Sequence, residues 1–308
     1  MLTLAALLAG LSQPVFSDDE CGPEQPGQDT INCNQNDHPN GITYRDSDGL
    51  TLNLDNPNMT VGTPGVFLQI IDSVAGDVTV NAINVDTITG AGNRFHGIWT
   101  EIDNRTATGS VTTTQSSGTI SIDGTTSRTA GLFARNMGLG NTHTQLNGGT
   151  INSTGPVGCG MMSTTNNGLS AGNATALMSD GAVTAGQHGI FVANVGLGLA
   201  EAKMDGGPLT TPGPNESHGI FNHTFSTNNT GSSTVFLTDG DISTAGSSSH
   251  GVHIFTEGTG LTLAEMSGGT ITTTGTEANG LISFINNAAS TANATITLTA
   301  GDIATSGA

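Results

Sequence analysis

Apolar residues recur along most of the chain in short alternating runs. The runs hold four or five residues, as in the phrases LNGGTI, MSGGTI and LTAGDI, and the Gly, Asn and Ser between them are typical of turns. Beyond the first residues, no window shows a sustained period of 3.6, which marks an amphipathic helix. The pattern predicts an all-β chain built from short strands.

Two phrases return with a period of about 30 residues. One is a Gly followed by an aliphatic residue, and successive glycines of this phrase are 34, 29, 29, 30, 32 and 29 residues apart. The other phrase consists of a Leu or Met, then a turn that contains Gly, and then an aliphatic residue. Strands this short cannot bury an apolar face alone, but they can if each repeat forms one coil and stacks on the next at about 4.8 Å.

The repeats therefore predict an all-β fold, a right-handed parallel β-helix solenoid of about 30-residue coils. Its core consists of three aliphatic ladders. We expect the ladders to be Leu146, Met178, Met204, Leu237, Met266 and Leu298; Ile151, Val183, Leu209, Ile242, Ile271 and Ile303; and Ile98, Leu132, Met161, Ile190, Ile220, Val252 and Leu281. Glycines are expected where the chain bends sharply or takes a positive φ. Length variation is expected mainly between the third ladder and the first.

The composition of the chain limits the classes of molecule that it can bind. Six Lys and Arg stand against 25 Asp and Glu, so the net charge is −19 and nucleic acid is an unfavourable partner. The hydrophobic content of 34% against 10% charged residues argues for a packed structure over disorder.

The N-terminus indicates export. The apolar segment from Leu2 to Leu11 suits a secretory signal peptide and is too short to span a bilayer as a helix. In an oxidising compartment a disulfide between Cys21 and Cys33 is reasonable, which leaves Cys159 as a small buried residue. We expect a signal peptide over 1–17, an N-terminal cap over 18–60 and a β-helix over 61–308 that is incomplete at its C-terminus.

Four histidines precede the repeated Gly, and stacking of the coils would align them. This histidine column comprises His96, His188, His218 and His250. Because Ala130, Cys159 and Asn279 fill the same position in other repeats, a structural role is favoured over a transition-metal site or a response to pH. No metal ligand, cofactor or catalytic residue is assigned.

Large side chains also follow the repeated aliphatic residue. These form an outward aromatic stripe, a possible contact surface made of Trp99, Phe133, Phe191 and Phe221. Since side chains alternate along a strand, the stripe points away from the core. Either loops cover it, which we favour, or it contacts another molecule.

Catalysis is not predicted. The carboxylates are dispersed along the chain, and Arg94, Arg105, Arg128 and Arg135 lie in its first half. A polysaccharide-acting β-helix enzyme remains the alternative. Three or more carboxylates converging with an Arg would favour it, and outward faces rich in Thr, Ser and Asn would disfavour it.

The coil phrases resemble the passenger domains of bacterial autotransporters of type V secretion. The resemblance rests on GGTITTTG at 268–275, HGI at 218–220, CGP at 21–23, INC at 31–33 and NGITY at 40–44. It implies a stalk at the surface or outer membrane of a Gram-negative cell, commonly an adhesin or virulence factor, and no catalytic role is carried over, because no credible Ser, His and Asp set is found. It further implies host or neighbouring-cell molecules as partners. The translocating outer-membrane barrel would lie further along the full-length chain or on a partner chain, and this chain would be an N-terminal fragment.

Overall fold

The computed structural model describes residues 21–22, 30–34, 38–46, 49–61, 65–70, 75–91, 95–124 and 129–307. These residues form β-strands, turns and bends and include no helix. Accordingly, this part of the chain has no helix long and apolar enough to cross a membrane. The predicted signal peptide at 1–17, and Arg94 and Arg128, lie outside the described residues.

Twenty-eight strands form three parallel sheets within the described residues. Sheet A contains β1 (Thr30–Cys33), β3 (Leu50–Asp55), β6 (Val78–Asn84), β9 (Val111–Gln115), β12 (Thr142–Leu146), β15 (Ala174–Met178), β18 (Ala200–Met204), β21 (Ser233–Leu237), β24 (Thr262–Met266) and β27 (Ala294–Leu298). Sheet B contains β4 (Asn58–Val61), β7 (Thr87–Ala91), β10 (Thr119–Asp123), β13 (Thr150–Ser153), β16 (Ala182–Ala185), β19 (Pro208–Thr211), β22 (Asp241–Thr244), β25 (Thr270–Thr273) and β28 (Asp302–Thr305). Sheet C contains β2 (Ile42–Asp46), β5 (Val66–Ile70), β8 (His96–Ile102), β11 (Thr129–Asn136), β14 (Gly158–Thr165), β17 (His188–Asn194), β20 (Ile220–Thr224), β23 (Val252–Thr256) and β26 (Leu281–Ile285).

The chain visits the sheets in turn, so each sheet pairs strands from successive coils, and the parallel β-helix prediction is confirmed. All three predicted aliphatic ladders are present in the predicted register. In sheet A, for example, Leu146 pairs with Met178, which in turn pairs with Met204. The ladders fill one continuous core, in which most members are fully buried. The period and the identity of the ladder residues were therefore sufficient to fix the stacking.

The segment that the sequence assigns to an N-terminal cap contributes strands to all three sheets. β1, β2 and β4 each pair with a strand of the following coil. A disulfide joins Cys21 to Cys33 of β1. The Tyr44 hydroxyl also holds Cys21 and Gly22, because it accepts a hydrogen bond from the backbone N–H of Cys21 (3.1 Å) and donates one to the carbonyl of Gly22 (3.0 Å).

Two classes of repeated Gly serve two different purposes. Glycines of the turn between sheets A and B have a positive φ, for example +76° at Gly269, as expected from the sequence. The Gly after the histidine position does not have a positive φ. At Gly189 a Cβ atom would overlap the side chain of Leu209 and meet the carbonyl of Gly219 at 2.8 Å. This second Gly is therefore required by close packing between sheets C and B.

Turn length is nearly constant at one of the three corners of the coil and varies at the other two. The turn from sheet A to sheet B keeps three residues from 116–118 onward, whereas both other corners vary in length. The expectation that variation lies mainly between sheets C and A is therefore only partly right. Those C-to-A turns alternate between eight residues, as in 166–173, and five residues, as in 195–199. Asn167 donates from Nδ2 to the carbonyl of Arg105 (2.9 Å), so the eight-residue turns contact one another across the intervening coil.

Candidate functional site

The outward face of sheet C differs chemically from the other two outward faces. Sheet B presents mostly Thr, Ser and Asn, such as Ser121 and Asn152. Sheet A is mixed, because Thr112 and Thr114 are followed on later coils by Leu177, Lys203 and Phe236. Sheet C instead presents columns of histidines and aromatic rings on successive coils. The candidate functional site therefore lies on this face.

The histidine column is stacked in its second half. The rings of His188 and His218 have centroids 5.3 Å apart and an interplanar angle of 12°, and His218 and His250 are 5.0 Å apart at 5°. His96 lies further along the same face, where it contacts Trp99 and Phe133 (centroids 5.0 and 4.8 Å). All four histidines are at least 92% buried.

Each column histidine accepts a hydrogen bond from the backbone of the next coil. The N–H groups of Ala130, His218, His250 and Asn279 donate to Nδ1 of His96, His188, His218 and His250, at 3.0, 3.4, 3.1 and 3.0 Å. A neutral imidazole has one acceptor and one donor nitrogen, so this contact places the proton on Nε2. Sequence reasoning had no signal for this contact, which explains physically why the position can be structural.

His253 joins the column from the aromatic side. Its Nδ1 lies 3.2 Å from Nε2 of His218, and because that Nε2 carries the proton, His218 is the donor. The nitrogens of His218, His250 and His253 lie within 4.8 Å of one another, as the ligands of a metal would. Coordination through Nε2, however, would require a proton on Nδ1, directed at a backbone N–H. The hydrogen bonds therefore disfavour a metal here.

Burial keeps these imidazoles neutral. It lowers the pKa of His96 to about 3, with a contribution from the Arg135 charge. Burial, together with smaller contributions from the neighbouring His188, His253 and His250, lowers the pKa of His218 to about 2. The pKa of His253 falls to about 4, for the same principal reason. Burial lowers the pKa of His250 as well, although the Glu216 charge opposes that shift.

The side chains of the aromatic stripe form one ladder along sheet C, but much of their surface is buried against neighbouring residues. Trp99 pairs with Phe133 and Phe191 with Phe221, with ring centroids 5.7 and 5.5 Å apart. Phe133 and Phe191 are only 5% and 2% exposed, while Trp99 and Phe221 are partly buried. A cavity of about 470 Å³ remains beside them and is bounded partly by the turn residue Phe225. The stripe is thus the floor of a groove and does not protrude.

Exposed apolar residues lie at the neighbouring corner, which sequence reasoning missed. Five consecutive turns between sheets C and A each carry one large exposed apolar side chain. This corner ridge comprises Leu139, Leu169, Leu197, Phe225 and Leu261, which are 37, 81, 39, 39 and 44% exposed. Leu139 and Leu197 occupy the same position in their turns, one residue before a stacked glycine, whereas the other three occupy different positions. A search for alternating strands does not detect a ridge made by turns.

An ion pair between Arg135 and Glu101 lies on this face. Arg135 donates from Nε to Oε1 of Glu101 (2.7 Å) and also contacts it through Nη2. The Glu101 side chain is fully buried, its Oε2 has no hydrogen-bond partner in the structure, and Arg135 lies 5.5 Å from the Trp99 ring. Burial raises the pKa of Glu101, which Arg135 opposes and Asp103 reinforces. Among the described residues, no three carboxylates come close enough to share an ion.

No protein-family model matches this chain, and neither a curated protein nor a solved structure matches it.

Proposed function

We propose that the chain is an exported, non-catalytic β-solenoid rod that presents a contact surface outside the cell, in the manner of an adhesin-like autotransporter passenger. Its partners would be molecules on a host or neighbouring cell. The observation that carries the proposal is the one-sided chemistry of the rod. The corner ridge and the groove of sheet C run together along several coils, whereas the outward face of sheet B is mostly Thr, Ser and Asn.

The corner ridge supports contact because it places five large exposed apolar side chains on successive turns at one corner of the rod. Single exposed leucines are ordinary on soluble proteins, but contiguous apolar patches mark interaction surfaces. Leu169 is 81% exposed in its eight-residue turn, so it contributes little to the core. The ridge is therefore better suited to contact than to stability.

Surface display and contact can be tested separately. Antibodies against the chain should label intact cells of its source as strongly as permeabilised cells. The purified chain should also bind the surface of partner cells. A double variant, Leu169→Ser with Leu197→Ser, should lose most of that binding and keep the melting temperature. The control Leu177→Ser, on the outward face of sheet A, should bind as before. Equal binding by all three proteins would refute the corner ridge as the contact surface.

Glu101 is the observation that favours the alternative, a polysaccharide-acting enzyme. A buried carboxyl group with a raised pKa is typical of a general acid. Its Oε1, however, is occupied by Arg135, and glycoside hydrolysis requires a second carboxylate. Incubation with polysaccharides should therefore release no reducing ends. Release that Glu101→Gln abolishes would replace the contact proposal with the enzyme.

A further inference from the structure

We propose that the cavity beside the histidine column binds a sugar unit of a cell-surface glycan. The cavity has a volume of about 310 Å³ and lies on the outward face of sheet C, near its corner with sheet B. It is lined by Gln187, His188, Glu216, His218, Phe221, Ser248, His250 and His253. This inference rests on the proposed function. We propose that the outward face of sheet C contacts molecules of another cell, and the inference names the class of ligand that this face binds.

The histidines supply hydrogen-bond donors to this cavity. The backbone N–H of Asn279 occupies Nδ1 of His250, and Nε2–H of His218 occupies Nδ1 of His253. The proton of both His250 and His253 is therefore on Nε2. No hydrogen bond within the described residues uses either of these Nε2 atoms, so both N–H groups are available to an acceptor on a ligand.

Two acceptors line the same cavity. Oε1 of Gln187 is buried and has no hydrogen-bond partner among the described residues. A buried acceptor without a partner is costly, so a donor from a ligand would stabilise it. Glu216 adds an exposed carboxylate. The cavity therefore requires a ligand that both donates and accepts hydrogen bonds, as hydroxyl groups do.

Other ligand classes fit less well. Neutral imidazoles and the Glu216 carboxylate disfavour an anion, and the protonated Nε2 atoms disfavour a metal. A purely apolar ligand would leave the imidazole N–H groups without acceptors. The two faces of the Phe221 ring stack on Phe191 and His253, so its edge supplies apolar surface for the C–H groups of a sugar. A polyhydroxylated ring is the class that satisfies all of these groups.

The backbone beside the cavity is also unusual. Glu216 and Ser248 take equivalent positions on successive coils, and both have left-handed φ values, +48° and +51°. Glycine adopts this conformation without strain, whereas other residues are uncommon there. A polar side chain kept at a position that suits glycine is consistent with use in binding.

The first test uses the purified full chain with its histidines labelled with ¹⁵N. Methyl glycosides of glucose, galactose, mannose and N-acetylglucosamine serve as probes. At least one should shift the Nε2 signals of His250 and His253 with a Kd of about 1 mM, a typical weak affinity. Glu216→Gly should raise that Kd at least about tenfold, and it should melt at the same temperature or higher, because glycine suits the positive φ. The control Leu177→Ser should bind as the parent does.

Two outcomes would overturn the inference. One is that none of the four glycosides shifts these signals. The other is that Glu216→Gly binds them as tightly as the parent protein does. A fall in the melting temperature of Glu216→Gly would show that the side chain supports the fold, which also contradicts the argument.

A second test separates this inference from the proposed function. Partner cells are treated with periodate, which cleaves the vicinal diols of sugars, and binding of the full chain is compared with mock-treated cells. Loss of binding after periodate, together with weak binding by Glu216→Gly, supports the sugar site. Unchanged binding in both comparisons overturns the sugar site and leaves the contact function standing. No binding to untreated cells refutes the contact function, whatever the glycoside titration shows.

Discussion

Low pH should destabilise the contacts between stacked coils at the histidine column. The Nδ1 atom of His218 is the only nitrogen of that ring able to take a second proton, and it already accepts the N–H of His250. A proton there would face a donor, so protonation must break this contact between coils. We therefore expect the solenoid to lose stability as the pH falls, and His218 to contribute strongly.

The magnitude follows from the pKa difference between the folded and the unfolded chain. The histidine pKa is about 6.5 in the unfolded chain, and burial lowers that of His96 to about 3 and that of His218 to about 2. Below pH 6.5 the unfolded chain binds more protons than the folded chain, so stability is complete above that pH and falls towards the folded pKa. At pH 4.5, two units at about 1.36 kcal/mol each give a loss of about 2.7 kcal/mol per imidazole.

Denaturant unfolding at pH 7.5 and pH 4.5, followed by the fluorescence of Trp99, measures this loss. Asn carries an acceptor close to the position of Nδ1 and does not titrate, so His218→Asn should reduce the pH-dependent loss by about 2.7 kcal/mol. Phe221→Leu is the matched control. It should lower stability by a similar amount at both pH values. An equal pH dependence in His218→Asn and the parent protein would refute the reasoning.

Three further outcomes test the packing and the chemistry. Gly189→Ala should destabilise the chain by roughly 1–3 kcal/mol in denaturant unfolding, because its Cβ would overlap Leu209, whereas Gly168→Ala, with no atom within 4 Å, should change stability by under about 1 kcal/mol. Cys33→Ser should cost about 3 kcal/mol in the same assay, because it opens a disulfide between residues 12 apart; no loss would contradict this contribution. Zinc should leave the melting temperature unchanged, because the column Nε2 atoms carry protons; a rise would contradict that protonation state.

Sequence reasoning was sufficient for the ladders because the constraint on them is local and repeated. Each coil must place an aliphatic residue over its predecessor, so a position such as Ile190 is fixed by Met161 before it and Ile220 after it. A one-residue error would turn the strand over and expose its core side chains. Periodicity alone therefore identifies both the register and the core.

The candidate site depends on features that periodicity does not record. The tautomer of His218 is set by a backbone N–H from the next coil, and the contact with His253 joins two columns that the sequence keeps separate. The corner ridge depends on turns such as 166–173 and 195–199, which carry Leu169 and Leu197 outside the strands. Strand patterns do not determine how turns of unequal length stack.

At the histidine position, one side chain serves both the packing of the coils and the proposed binding of a ligand. The Gly that follows it packs against sheet B, as Gly189 does against Leu209, and at this point a backbone N–H turns to the imidazole of the preceding coil. In the coils that carry a histidine, Nδ1 supplies the acceptor for this N–H. Once Nδ1 is occupied, the same ring must direct Nε2–H elsewhere. The structural contact at Nδ1 of His250 thus leaves Nε2–H of that ring for the cavity, so the fold and the proposed sugar site use opposite nitrogens of this histidine.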